Sequence, residues 1–485
     1  MIFIKNSVKD WDQIIQAVNL MRMSSCRTVG VVMAVCASAA VTRPATSQDA
    51  VAEALVQSFG ISSSLRMNDN FGLDEPSPGT TTLWDNTLTY DLLKETPRDR
   101  LSLGLSGIFR FSDVPQQSNE FEFDSPSARL NYGRFGTNSL LDLNLGYSEI
   151  DLNFADPLRR IDEDFEGPDD ELILDDGTRK TARAGFEFET GVNDPFGIGL
   201  SSDYLRVDYD DTTDPSLFGR KTIFNEAFGR FRFSPVLEGR LSFAHEDYEA
   251  EDEEGTNRTS KFTNFSLTYD IDPATLLEAT IGYTDIDETQ EFGLDTRERG
   301  VVGGLGLFRE VPNGSAGVEL SSDLTTNGRR NTALFERALE LPLGGLQAGL
   351  GLTRGPLGET NPIGNFLYTH ERSRTRLAVG FDRSYRTNSR SEETRRSRAF
   401  LGYDVTINSL SSVAFNLDYA SVSSIGNNSS ENNKIGTFRT TYVRSLTADW
   451  DFSVGYEYIN YESESTPRTH SNEVFFTLSR NFTTR

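Results

Sequence analysis

The sequence predicts an all-β chain: a transmembrane antiparallel up-and-down β-barrel of about 22 strands around a polar lumen. Three observations carry that prediction. Apolar and polar residues alternate in segment after segment from Leu55 to the C-terminus. Period-two alternation marks a strand with one face in an apolar medium and the other in a polar one. Hydrophobic residues are only 36% of the 485, yet aromatics reach 11%, with 33 Phe and 16 Tyr. A barrel wall needs only every second residue apolar, so it crosses a bilayer at low mean hydropathy. Short turns and longer polar loops also alternate, as the two rims of such a barrel require.

The chain begins with a segment unlike the rest. A basic stretch at 21–27, an apolar run at 29–41 and the small residues Ala45, Thr46 and Ser47 read as a secretory signal, with the mature start near Gln48. Residues 1–47 are therefore assigned as a leader, with 1–20 an over-called start, and 48–485 as a single outer-membrane barrel. Both cysteines, Cys26 and Cys36, fall in the leader, so neither disulfides nor a thiolate metal site is expected. The short reach from Gln48 to Ala54 leaves no room for a periplasmic domain or plug. That weighs against TonB-dependent transporters, barrel-assembly proteins and two-partner secretion pores.

Turn chemistry punctuates the chain beyond Ala54. Short turns are expected at 95–99, 136–138, 193–195, 234–235, 272–273, 312–314, 342–345, 371–375, 408–409 and 447–449. Longer loops are expected at 68–79, 113–119, 156–180, 210–221, 249–260, 285–297, 325–331, 354–364, 387–394, 421–433 and 462–470. The segments between them are about 10 to 14 residues long, and their even number puts both termini at the periplasmic rim.

Within segments the faces separate cleanly. Leu101, Leu103, Leu105, Phe109 and Phe111 oppose Ser102, Gly104, Ser106 and Arg110. Ala184, Phe186 and Phe188 oppose Arg183, Gly185, Glu187 and Glu189. A packed protein core would put Val, Ile and Leu inside, whereas the second face here is small, polar and charged. The apolar face is therefore expected toward lipid and the polar face toward a wet lumen. The lumen-lining candidates are Arg110, Arg183, Glu187, Glu189, Asp270, Glu278, Asp382, Asp404, Asp418, Arg439 and Glu457. The structural alternative is that these side chains pair with one another, rigidify the wall and seal it.

Charge and motifs exclude several functions. The net charge of −26 disfavours nucleic acid, whose phosphates require Lys and Arg. His245, His370 and His470 are far apart in sequence and lack zinc spacing; solvated rim histidines are the plainer reading than a rim enzyme. Acidic runs at 162–164, 169–171, 175–177 and 246–254 fit no EF-hand pattern. Nonspecific attraction of divalent cations at a lipopolysaccharide surface is what they suggest. No cofactor, catalytic residue or metal ligand is assigned.

The C-terminal stretch is the most specific. Trp450, Phe452, Val454, Tyr456 and Tyr458 alternate with Asp451, Ser453, Gly455 and Glu457. Val474, Phe476, Leu478 and Phe482 then share one face of the last strand, with Arg480 among them. An arginine there is tolerated near an interface, where its head group snorkels outward. With Tyr442 to Leu446, these segments resemble the end of bacterial outer-membrane β-barrel porins, some of which accompany exopolysaccharide secretion. The resemblance covers roughly the last 90 residues. It implies that Val474, Phe476, Leu478 and Phe482 form an assembly signal read by the barrel-assembly machinery, although Thr483, Thr484 and Arg485 follow the terminal aromatic. It also implies a channel or porin in the outer membrane of a Gram-negative bacterium, in contact with lipid and lipopolysaccharide and linked to polysaccharide export. The alternative is a structural or adhesive barrel whose acidic loops hold divalent cations or surface polysaccharide.

Overall fold

The computed structural model describes residues 54–484, apart from 117–118, 155–176, 216, 389–390, 426–431 and 464–467. The leader assignment, and nearly all of the expected 156–180 loop, lie outside the described residues. The strands follow the chain as a meander. They begin with β1 (Ala54–Asn68), β2 (Thr81–Glu95), β3 (Asp99–Asp113), β4 (Glu120–Phe135), β5 (Ser139–Asp151) and β6 (Thr178–Thr190). Next come β7 (Phe196–Asp210), β8 (Arg220–Ser234), β9 (Leu237–Ala250), β10 (Thr256–Asp272), β11 (Thr275–Gln290) and β12 (Thr296–Val311). Then follow β13 (Gly314–Thr325), β14 (Gly328–Leu341), β15 (Gly344–Arg354), β16 (Thr360–Glu371) and β17 (Thr375–Thr387). The last are β18 (Glu393–Asn408), β19 (Ser411–Ile425), β20 (Asn432–Ser445), β21 (Trp450–Glu462) and β22 (Thr469–Thr484).

Every neighbour pairs antiparallel, and β1 pairs with both β2 and β22, so the 22-stranded sheet closes on itself. Closure satisfies the backbone donors and acceptors that an open sheet edge would strand in hydrocarbon. Phe482 sits opposite Phe59 at the seam, their ring centroids 6.3 Å apart. All the short turns read from sequence fall on one rim, together with the start of β1 and the end of β22.

Two features depart from the sequence reading. The strands are longer than expected, up to 17 residues in β10. Residues 249–260 were expected as one loop, but β9 runs to Ala250 and β10 starts at Thr256. The reason is chemical. Beyond the apolar belt the outward positions become charged, as in the pairs Lys180–Asp210, Lys221–Glu249 and Arg297–Asp285. A strand polar on both faces reads as a loop. Similarly, the expected loop at 325–331 reduces to Thr326 and Asn327 between β13 and β14.

Alternation also changes phase in the middle of β4. In β4, Ser125 has φ 49° and the β3–β4 register slips between Ser106 and Ile108. This bulge adds a residue to β4. Phe121 and Phe123 therefore share the outer face with Ala128 and Leu130, although their numbers differ in parity.

Candidate permeation path

The outer face is apolar and exposed: Leu350 is 74% exposed, Ile281 61% and Leu200 54%. In β22, Val474, Phe476, Leu478 and Phe482 are each about two-fifths exposed on the same face. Arg480 shares that face. Its guanidinium carbon lies 4.1 Å from the Phe482 ring centroid and 5.3 Å from that of Trp450, and its Nη2 is 3.8 Å from Asp449 in the β20–β21 turn. The arginine thus folds along aromatic rings toward the rim instead of standing in hydrocarbon.

The opposite face of each strand carries the charges. Arg110 on β3 is buried; its Nε donates to Asp85 Oδ1 at 2.7 Å, and its Nη1 donates to Asp124 on β4. Asp85 also meets Arg66 Nη2 at 3.0 Å, and Arg66 approaches Glu473 at 4.0 Å. Glu473 stands directly opposite Glu457, which accepts from Arg439 Nη2 at 2.7 Å. Further round, Arg398 Nη2 reaches Asp418 at 3.4 Å, and Arg398 is the register partner of Asp382. Each strand from β17 through β22 and on to β4 therefore contributes one charged residue to a belt of nearly alternating sign. These strands bring together five of the predicted residues, Arg110, Asp382, Asp418, Arg439 and Glu457, whereas Asp404 stands further along β18, opposite Arg376. Sequence reading missed Arg66, Asp85, Asp124, Arg398 and Glu473. The same two-residue step applied to β1, β2 and β18 finds Arg66, Asp85 and Arg398, whereas Asp124 is hidden by the bulge.

The wall from β5 to β11 is different in sign. Glu187 on β6 faces Asp142 on β5 and Ser201 on β7, and Ser201 faces Glu226 on β8. Glu226 accepts from Arg240 Nη2 at 3.0 Å. Lower down, Arg230 on β8 reaches Glu189 on β6 at 2.6 Å, passing over β7. It can do so because β7 has Gly197 there: a Cβ at that position would stand 2.9 Å from Arg230 Nη2. Asp203, Glu278 and Asp270 lie on this same inner side, as does Arg183, so carboxylates outnumber arginines along these strands. The predicted set is thus divided between two walls and does not form one cluster.

The inner face is not polar throughout. Near the long-loop rim Leu83, Val207, Phe224, Phe262, Ile286 and Val302 are buried inside. Loops also fold inward. In the β1–β2 loop, Leu73 packs on Ala420, Val422, Ile435 and Tyr461. Phe71 meets Phe154 of a short 3-10 turn, Leu152–Phe154, with the rings tilted and their centroids 5.1 Å apart, and the Arg110 guanidinium carbon lies 3.8 Å from the Phe154 ring centroid. On the far side Ser391, between β17 and β18, donates to Glu288 of β11 at 3.2 Å. Deeper in the wall, inward rings lie flat on glycines of the next strand: Phe228 on Gly199, Phe400 on Gly380 and Phe475 on Gly455.

The histidines are not assembled. His245 pairs with Asp247 at 3.0 Å on the outer face of β9, His370 lies beside Tyr368 on β16, and His470 beside Tyr458 on β22. Among the described residues no group of three or more His, Cys, Asp or Glu side chains is placed to hold a metal ion.

No protein-family model matches the chain, and no curated protein matches it significantly. Solved structures do. The ferric-catecholate import receptor Fiu from E. coli K12 aligns with TM-score 0.55 at 12% identity, over 87% of this chain and 81% of that one. The FrpB iron transporter from Neisseria meningitidis aligns with TM-score 0.54 at 8% identity, over 87% and 82%. The copper transporter OprC aligns with TM-score 0.52 at 9% identity, over 89% and 80%. At such identities the likeness establishes the fold. A closed barrel of this fold with its apolar face outward is a Gram-negative outer-membrane protein.

Proposed function

We propose that the barrel is a channel-like transporter that passes small charged solutes across the outer membrane, with cations favoured. The observation that carries this reading is the asymmetry of the inner wall. One side is a belt of paired charges that fixes the wall's shape; on the other, carboxylates, Asp142, Glu187, Asp203 and Glu226 among them, outnumber the arginines. Charged side chains lining a lumen set selectivity through their field. In this proposal Arg110, Arg183, Glu187, Glu189, Asp270, Glu278, Asp382, Asp404, Asp418, Arg439 and Glu457 line the path. The neighbours' printed activities, import of iron compounds and transport of copper, agree with passage of small charged solutes. Polysaccharide export rests on the C-terminal resemblance alone, and the inward rings of Phe228, Phe400 and Phe475 are pressed onto glycines instead of standing free to stack on sugars. The assembly machinery as reader of Phe482, and lipopolysaccharide as neighbour of the charged outer rim, belong to the same proposal.

A second reading has its own support. The inward loops and the paired belt suit a sealed structural or adhesive barrel. Conductance of the purified protein in a planar lipid bilayer separates the two. Discrete steps favouring K+ over Cl− support passage; an electrically silent, folded barrel supports the sealed reading.

A further inference from the structure

The β1–β2 loop is built as a single object. Asp69 accepts from the Asn472 backbone amide at 2.7 Å and from its side-chain amide at 2.8 Å. Asn70 Nδ2 donates to the backbone oxygens of Asp74 and His470, both at 3.0 Å. Asn68 Oδ1 accepts from the Asn70 amide and the Ser471 hydroxyl, both at 2.8 Å. The base of the loop is therefore anchored to β22. Its tip reaches further. Leu73, 5% exposed, enters a socket made by the inner faces of β19, β20 and β21: Ala420, Val422, Ile435 and Tyr461. On the other flank, Phe71 meets Phe154 above Arg110 of β3.

Leu73 adopts φ 55°. A branched, non-glycine residue in the left-handed region is strained. Burial of the side chain in the socket opposes that strain, so docking is favoured by the difference of two opposed effects. A loop anchored at its base and held at its tip by one strained leucine is poised to release.

We propose that the β1–β2 loop is a latch over the extracellular mouth, and that Leu73 leaving its socket widens the entrance to the lumen. This rests on the passage reading above. The loop reaches from the Leu73 socket on β19–β21 to Phe71 and Phe154 above Arg110 of β3, and at its base Asn68 Nδ2 donates to Glu473 at 3.4 Å. Release exposes Arg110 and Glu473 to solute entering from outside.

The test uses the chain's lack of cysteine beyond residue 36. Leu73→Cys and, as the exposed control in the same loop, Ser77→Cys are treated with a membrane-impermeant maleimide on the folded barrel. Single-channel recordings then compare wild type, Leu73→Asp, and Leu73→Cys/Val422→Cys before and after thiol cross-linking. Heat-modifiable migration confirms that each variant is folded. The latch predicts slow labelling at Leu73→Cys and fast labelling at Ser77→Cys. It predicts an open-to-closed ratio raised about tenfold or more in Leu73→Asp, the scale of one lost leucine burial, and reversible loss of the open level on cross-linking. Equal labelling rates overturn docking. Conducting variants identical to wild type overturn the latch and leave passage standing. Silence from every variant, with or without cross-linking, overturns passage and the latch with it.

Discussion

Replacing Arg110 with methionine tests the paired belt where it is most deeply buried. Arg110 is 5% exposed, holds Asp85 at 2.7 Å and Asp124 through its other arm, and covers the Phe154 ring at 3.8 Å. Methionine keeps the apolar stem and removes the charge. Asp85 retains Arg66 at 3.0 Å, but Asp124 is left with the neighbouring Ser125 hydroxyl. Removing one partner of a buried pair costs about 3–5 kcal/mol because the remaining charge is stranded. The retained Arg66 places this case toward the lower end. The double variant Arg110→Met/Asp124→Asn removes the stranded charge and should recover much of the loss. Urea unfolding in lipid vesicles, followed through Trp84 on β2 and Trp450 on β21, reads both. A single-variant loss below about 1 kcal/mol, the range of exposed surface pairs, would refute the claim that the belt stabilises the wall.

Further outcomes are expected. Phe186→Arg places a charge on the lipid face of β6 and should cost about 2–4 kcal/mol near the bilayer midplane, seen as loss of the heat-modifiable folded band; normal assembly would mean that the two faces are inverted. Chymotrypsin added to intact cells should cut at Phe292 in the β11–β12 loop, 77% exposed, and spare Phe233 by the opposite rim, 61% exposed; early cleavage at Phe233 would reverse the orientation.

The fold was legible because a barrel repeats one rule. Alternation located the strands, and residues such as Pro195, Pro273 and Asn313 located the turns, because a tight reversal needs those backbone preferences. The strand ends were not legible. His245, Asp247, Lys261 and Asp285 stand outward on strands above the lipid, where the outer face is charged and apolar residues such as Phe262 and Ile286 stand inside, so the alternation of the membrane belt is lost. The site was legible as a face but not as a set of partners. Arg110, Arg439 and Glu457 were found as inward residues, yet nothing local says that Arg110 meets Asp124 across a bulge or that Arg230 crosses Gly197 to Glu189. Those contacts depend on register between strands. The packing of Leu73 on Ile435 was invisible for the same reason: the two are remote in sequence, and each looks like an isolated apolar residue.

In the proposed function, inward carboxylates on β5–β8 set what the lumen passes. The most direct measurement is the reversal potential under a KCl gradient for wild type and Glu187→Arg, with folding checked by heat-modifiability. Glu187 lies between Asp142 and Ser201, with Glu226 beyond, so the substitution reverses charge at the centre of the acidic run. The wild type is expected to be cation-selective, and Glu187→Arg to shift toward anions. An unchanged reversal potential in two conducting, folded barrels would contradict that role for the carboxylates.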